Sequence, residues 1–208
     1  MQGIPNSQQN EDNPYENSNN TSYDHIQRIR CKFPKYVIFS HVNINSIRHK
    51  WKHIFKLLSD GLVDVISISE TKLDDSFPQA QFKCEGFTIY RQDRTCSGGG
   101  IMTCVRGDIP QRRLYDLESK LTHIETTVIE LRVKKEKWYL ITVYNPNRKH
   151  ESELVTYLNH AYETILNDAK EIICLGDLNV DLLLPRSKLK EEVFDVLGLH
   201  NIISTPTC

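Results

Sequence analysis

A chain of 208 residues, 39% of them hydrophobic, has enough apolar material for one sizeable core and not for two. Its 26 basic and 27 acidic residues leave a formal charge of −1, which excludes a domain that draws in nucleic acid through a global basic field; any such contact has to be local. The six cysteines (31, 84, 96, 104, 174, 208) contain no Cys-x-x-Cys pair, and there is neither an apolar leader nor a run of ~18 apolar residues, so the expectation is a soluble intracellular protein, nuclear or cytoplasmic and not secreted, with reduced thiols.

Residues 1–33 are dominated by Asn, Gln, Ser, Asp and Glu, too little aliphatic material to offset the entropy of ordering, and are expected to form a disordered tail. The folded domain is expected over 34–208, opening after Pro34 with the β-rich run 36–42. Ile47, Trp51, Ile54, Phe55 and Leu58 recur at helical spacing, with Asn45 or Ser46 as N-cap and Gly61 as terminator, and 63–69 follows as a strand. Strand, helix and strand within so short a stretch make a βαβ unit with a parallel pair.

Beyond it the pattern turns to hairpins. Short strands at 87–91 and 100–105 flank a Cys-Ser-Gly-Gly-Gly turn, and longer ones at 124–133 and 138–144 flank the charged turn 134–137. Leu154, Tyr157, Leu158, Ala161, Tyr162, Ile165 and Leu166 mark one face of a second helix. The wholly apolar run 172–175 predicts a strand buried on both sides, and a last helix over 188–197 ends at Gly198. Crossovers mixed with hairpins indicate an α/β sandwich holding parallel and antiparallel pairs.

Three polar positions share one situation: Asn43, Glu70, and Asp177 with Asn179 each follow a core strand at its C-terminal end, where α/β sheets build sites. Taken singly, the asparagines read as turn residues and the acids as strand-end surface carboxylates. Jointly they form a hard-oxygen set of the kind Mg²⁺ favours, and a divalent ion there would neutralise charge developing on a phosphodiester.

The strings His41-Val42-Asn43-Ile44-Asn45-Ser46-Ile47, Ile68-Ser69-Glu70-Thr71-Lys72-Leu73, Tyr144-Asn145-Pro146-Asn147 and Leu175-Gly176-Asp177-Leu178-Asn179 resemble four successive motifs of the endonuclease/exonuclease/phosphatase superfamily, and Gly98-Gly99-Gly100 resembles its strand entrance. The wording is closest to the apurinic-type endonuclease domain of LINE-like (non-LTR) retrotransposons. The resemblance covers roughly 36–207. It implies an α/β fold like that of deoxyribonuclease I, a layered sandwich of two mixed β-sheets flanked by helices, here missing its last strands.

The resemblance also implies roles. Asn43 and Glu70 help to hold Mg²⁺, with Mn²⁺ as a substitute; Asp177 orients or deprotonates the attacking water; Asn179 supports the phosphate; Tyr144 contacts the scissile phosphate; Asn45 and Asn147 bind substrate. The implied partner is the DNA phosphate backbone, met by local basic clusters at 28–35, 48–56 and 112–113, with no membrane involved and the chain a monomer. The family's catalytic Asp-His pair, which lies beyond a further acidic strand, has no match here. His200 occupies an apolar connection and reads as structural, while His49 and His53 read as a solvated helix face among lysines. The expectation is thus a Mg²⁺-dependent DNA endonuclease of retrotransposon type, truncated and weakened in activity. The alternatives are a phosphatase of small or lipid phosphoesters on the same fold, and an inactive remnant serving as an interaction module.

Overall fold

The computed structural model describes residues 14–183 and 187–205, with backbone alone for 14–21. The chain divides into two compact units, Met1–Tyr36 and Val37–Cys208. In the first, residues 1–13 fall outside the described residues, and helix α1 spans Pro14–Lys32, where composition predicts disorder. The half-buried Tyr23, Ile26 and Ile29 supply a thin apolar stripe at helical spacing, a local pattern that average composition hides.

The second unit holds two four-stranded sheets. Strands β1 (Phe39–Asn43), β2 (Val65–Ser69), β3 (Phe87–Gln92) and β4 (Ile101–Arg106) form one sheet in the order β1-β2-β4-β3. Strands β5 (Gln111–Arg113), β6 (Glu125–Val133), β7 (Glu136–Tyr144) and β8 (Glu171–Asp177) form the other in sequence order. Each sheet is mixed. β1 and β2 run parallel across the helix α2 (Trp51–Ser59), β7 and β8 run parallel across α3 (Glu151–Ile165), and the remaining pairs are antiparallel. This is the expected layered α/β sandwich of two mixed sheets flanked by helices.

Side-chain alternation explains how the layers adhere. Val65, Val105, Ile129, Leu131 and Leu140 pack with Phe39, Trp138 and Leu175 into one apolar cluster drawn from both sheets. The opposite face of β6 and β7 contributes Val128, Ile141 and Val143 to a second cluster with Leu154, Leu158, Ala161, Tyr162 and Ile165 of α3 and with Val193 and Phe194. Each such aliphatic side chain contributes roughly 1.5–3 kcal/mol when fully buried. A buried polar ladder crosses between the sheets: Ser67 Oγ lies 2.7 Å from Thr142 Oγ1, which lies 3.0 Å from Thr103 Oγ1, itself 3.2 Å from Thr127 Oγ1. All four residues are fully buried, so each hydroxyl depends on its neighbours for hydrogen bonding.

Several local expectations shift. α2 begins at Trp51 with Lys50 as its N-cap, because Asn45 and Ser46 adopt left-handed backbone in a loop that joins the end of β2: Ser46 N donates to Glu70 O at 2.8 Å and Ile47 N to Thr71 O at 3.1 Å. Phe55 and Leu166, placed on buried helix faces by spacing, are 42% and 46% exposed. β8 is only half-buried along most of its length, since it forms an edge of its sheet instead of a central strand. The β6–β7 turn has just Lys134 and Lys135 between paired Val133 and Glu136, both left-handed as a tight two-residue hairpin demands. The terminal helical turns, Lys190–Phe194 and α4 (Asp195–Leu197), close at left-handed Gly198, as spacing predicts, but His200 beyond it is exposed and not part of the core. His49 and His53 are exposed, in keeping with a solvated face.

Candidate active site

Two parallel registers bring the candidate residues to one end of the sandwich. Asn43 ends β1 opposite Ser69, so Glu70 emerges beside it; Tyr144 ends β7 opposite Asp177, the last residue of β8. The antiparallel β6–β7 pairing adds Glu125 opposite Tyr144. Five separate segments therefore deliver oxygen-bearing side chains to one place.

Their contacts are direct. Asn43 Nδ2 donates to Glu70 Oε1 at 3.0 Å and to Asp177 Oδ2 at 2.8 Å, and the Tyr144 hydroxyl donates to the same Glu70 oxygen at 3.2 Å. Asn43 Oδ1 accepts from Asn45 N at 3.2 Å. Lys72 lies 3.8 Å from Glu70 Oε2 and donates to Asn45 Oδ1. Asp177 Oδ1 accepts from Asn179 N at 3.2 Å in an Asx turn, while Asn179 Nδ2 donates to Asn145 O at 2.7 Å. Asn145 is fully buried and fastens the two loops, its own Nδ2 donating to Leu178 O at 3.0 Å. Of the seven sequence candidates, Asn43, Asn45, Glu70, Tyr144, Asp177 and Asn179 thus belong to one bonded set. Asn147 does not: it is exposed, and its Oδ1 accepts from Lys149 N at 3.0 Å, capping the turn Arg148–His150.

The backbone is bent to make this arrangement. Among the described residues, seven non-glycine positions adopt left-handed φ, and five of them, Asn45, Ser46, Glu70, Lys72 and Asn179, lie here. Such conformations cost of order 1–3 kcal/mol each and persist only where the surroundings over-determine them, a pattern typical of functional sites. The surroundings do so: Thr71 N and Lys72 N donate to Gly100 O and Gly99 O at 3.0 and 2.8 Å, clamping the loop that carries Glu70. A Cβ on Gly99 would approach the Arg94 guanidinium and Glu125 Oε1 to 2.3 Å, so this glycine leaves room for that ion pair. Gly176 likewise lets β8 close on β7, since a Cβ there would meet Val143 O at 1.8 Å.

Sequence reasoning missed Glu125, Arg94 and His41. Glu125 is nearly buried; burial pushes its carboxyl up to about 7, with Glu70 adding to the rise, against the pull of Arg94 at 2.9 Å and of Gly100 N at 2.5 Å. Arg94 also stands 5.9 Å over the Tyr144 ring. Burial, then the Glu70 carboxylate, pushes the Tyr144 hydroxyl up to about 12, so it stays a donor at neutral pH. His41 sits 3.1 Å from Ser69 Oγ; burial lowers its pKa and favours the neutral imidazole, opposed by the Asp177 charge. The available signal for Glu125 was its place in the hairpin opposite Tyr144. Arg94, in an irregular loop, has no periodic signature.

As a donor set, the carboxylates of Glu70 and Asp177 with the amide oxygen of Asn43 suit a hard divalent cation, and their concentrated negative charge is only partly offset by Lys72.

Comparison with known proteins gives the same frame. Residues 41–201 match the model of the Endonuclease/Exonuclease/phosphatase family, a span that contains every residue of the bonded set. Similar solved structures include TDP2 of D. rerio complexed with a single-strand DNA product (14% identity, 78% of this chain and 65% of that one, TM-score 0.52) and the 3′ phosphatase NExo from Neisseria bound to a product DNA hairpin (19%, 70% and 58%, TM-score 0.51). The catalytic domain of Xenopus laevis APE2 is also similar (18%, 73% and 62%, TM-score 0.52). At these identities the likeness is one of fold, and the chain spans less than two thirds of the length of each. No curated protein matches the chain. With most of its length under one family model, the chain belongs to the Endonuclease/Exonuclease/phosphatase family.

Proposed function

We propose that this chain hydrolyses phosphodiesters with the help of Mg²⁺ and acts on DNA as an endonuclease of the LINE-like retrotransposon type, working inside the cell as a monomer. The observation that carries the reading is the single cluster formed by Asn43, Glu70, Tyr144 and Asp177, drawn from both sheets. Similar folds that hold DNA products support the choice of substrate.

Asn43 and Glu70 would hold the ion, with Mn²⁺ able to replace it, and the ion when bound supplies positive charge beside the phosphate. Asp177 is placed to orient a water and accept its proton as the water oxygen attacks phosphorus. The Asn179 turn keeps the Asp177 carboxylate directed, and the second N–H of the Asn179 amide is available to a phosphoryl oxygen. Tyr144, held as a donor, points its hydroxyl into the same space, and Lys72 with Asn45 forms a polar rim for the backbone of the substrate. Asn147 caps its turn through Oδ1, and its exposed amide nitrogen is the group it would offer to substrate. The bond that breaks is the P–O ester, and the leaving oxygen takes its proton from solvent.

Nicking of supercoiled plasmid by the full chain in Mg²⁺, compared with EDTA and with Asp177→Asn, tests this reading. Magnesium-dependent nicking lost in the variant is expected. Hydrolysis of inositol or sphingolipid phosphates with plasmid untouched would transfer the site to small-molecule phosphatase chemistry, and absence of both activities beside measurable Mg²⁺ binding would make the chain an interaction module.

A further inference from the structure

A second cluster of ligating groups lies outside this set and shares no residue with it. His123 sits in the turn that leads into β6, His150 immediately precedes α3, and Glu153 occupies the first turn of that helix. His123 Nε2 lies 2.5 Å and His150 Nδ1 3.0 Å from one oxygen, Glu153 Oε2. Their ligating atoms all fall within 4.8 Å of one another, and the two imidazole rings stand 3.9 Å apart between centroids.

The cluster is held from behind. Ile124, next to His123, and Leu154, next to Glu153, are both fully buried in the apolar cluster shared by α3 and the second sheet. The three side chains remain 30%, 34% and 48% exposed, so an ion could reach them from solvent. Two imidazole nitrogens and one carboxylate oxygen form a borderline set that late first-row ions favour and Mg²⁺ does not, and the spacing of His150 and Glu153, three apart, places both on one side of a helical turn.

We propose that His123, His150 and Glu153 bind a zinc-class divalent ion, with water completing a tetrahedron, and that the ion ties the turn before β6 to the start of α3. The proposal is independent of the nuclease reading.

The test is competition of the full chain with a chromophoric chelator for Zn²⁺, in millimolar Mg²⁺ and a non-chelating reductant. One zinc per chain at micromolar or tighter affinity is expected. His123→Gln, His150→Gln and Glu153→Gln should each weaken binding by roughly tenfold or more, whereas Cys96→Ser, which removes an exposed thiol, should leave it unchanged. X-ray absorption of the zinc-loaded wild type needs no variant: nitrogen and oxygen neighbours at ~2.0–2.1 Å with imidazole scattering are expected. Sulfur neighbours at ~2.3 Å, equal affinity in all folded variants, or no zinc uptake at micromolar concentrations would overturn the proposal and leave a hydrogen-bonded trio only.

Discussion

The amide of Asn43 donates to the carboxylate of Asp177 at 2.8 Å, joining residues 134 positions apart and on different sheets. The same nitrogen serves Glu70, so a single neutral side chain keeps two like charges facing one another. Replacing Asn43 by Ala removes the shared donor and the amide oxygen proposed to hold the ion. Calorimetric Mg²⁺ titration should show affinity reduced by roughly tenfold or more, and unchanged heats would remove Asn43 from the metal site.

Asp177→Asn keeps an acceptor for Asn179 N but sets an amide NH₂ against Asn43 Nδ2, so the turn persists while the Asn43 bond is lost, and turnover should fall on the order of 10²–10⁴. Single-turnover nicking reads the loss. A variant as fast as wild type would exclude Asp177 as the proton acceptor.

Glu125 makes stability depend on pH. Its carboxyl is raised to about 7 in the folded chain against an ordinary 4.5, so its contribution is fully present below about 4.5 and is lost as pH rises through about 7. Relative to Glu125→Gln, the wild type should lose up to an amount on the order of 3 kcal/mol across that window. Urea midpoints of the two proteins at several pH values check this, and a difference independent of pH would refute it.

Gly176→Ala would drive a methyl group into the Val143 carbonyl in the paired β7–β8 ladder, where every atom it meets is Val143 backbone and there is no flexible side chain to move away. Destabilisation of about 4 kcal/mol or more is expected. Thermal unfolding within a few degrees of wild type would show that the strands tolerate separation there.

The hydroxyl ladder between the sheets should behave as a unit. Thr142→Val removes a partner from both Ser67 and Thr103, at a cost of about 1–3 kcal/mol. Adding Ser67→Ala should cost less than the sum of the single changes, since the orphaned hydroxyl is then gone; a double-mutant cycle measures the coupling.

Much of this architecture is legible in the sequence because its cause is local. Apolar spacing marks α3, left-handed Gly198 marks the end of the terminal helix, and the chemistry of strand ends singles out Asn43, Glu70 and Asp177. What escapes is set by partners distant in sequence. β5 is only Gln111–Arg113, too short and charged to show alternation, and exists because β6 offers it an edge. Asn45 and Ser46 look like helix caps, but hydrogen bonding to the end of β2 claims the loop first. Glu125 and Arg94 become part of the site only when the Gly99 turn brings them together. Asn147 matches its motif by type, but its Oδ1 caps the next turn and its side chain lies outside the bonded set.

Because Asn43 and Glu70 belong to one sheet and Tyr144 and Asp177 to the other, the cluster is a seam between two halves of the fold. Any breathing motion that parts the halves dismantles the site before either half loses its own strands. A cation or phosphate lodged in the seam would act as a rivet, resisting that motion by an amount that grows with the logarithm of its concentration.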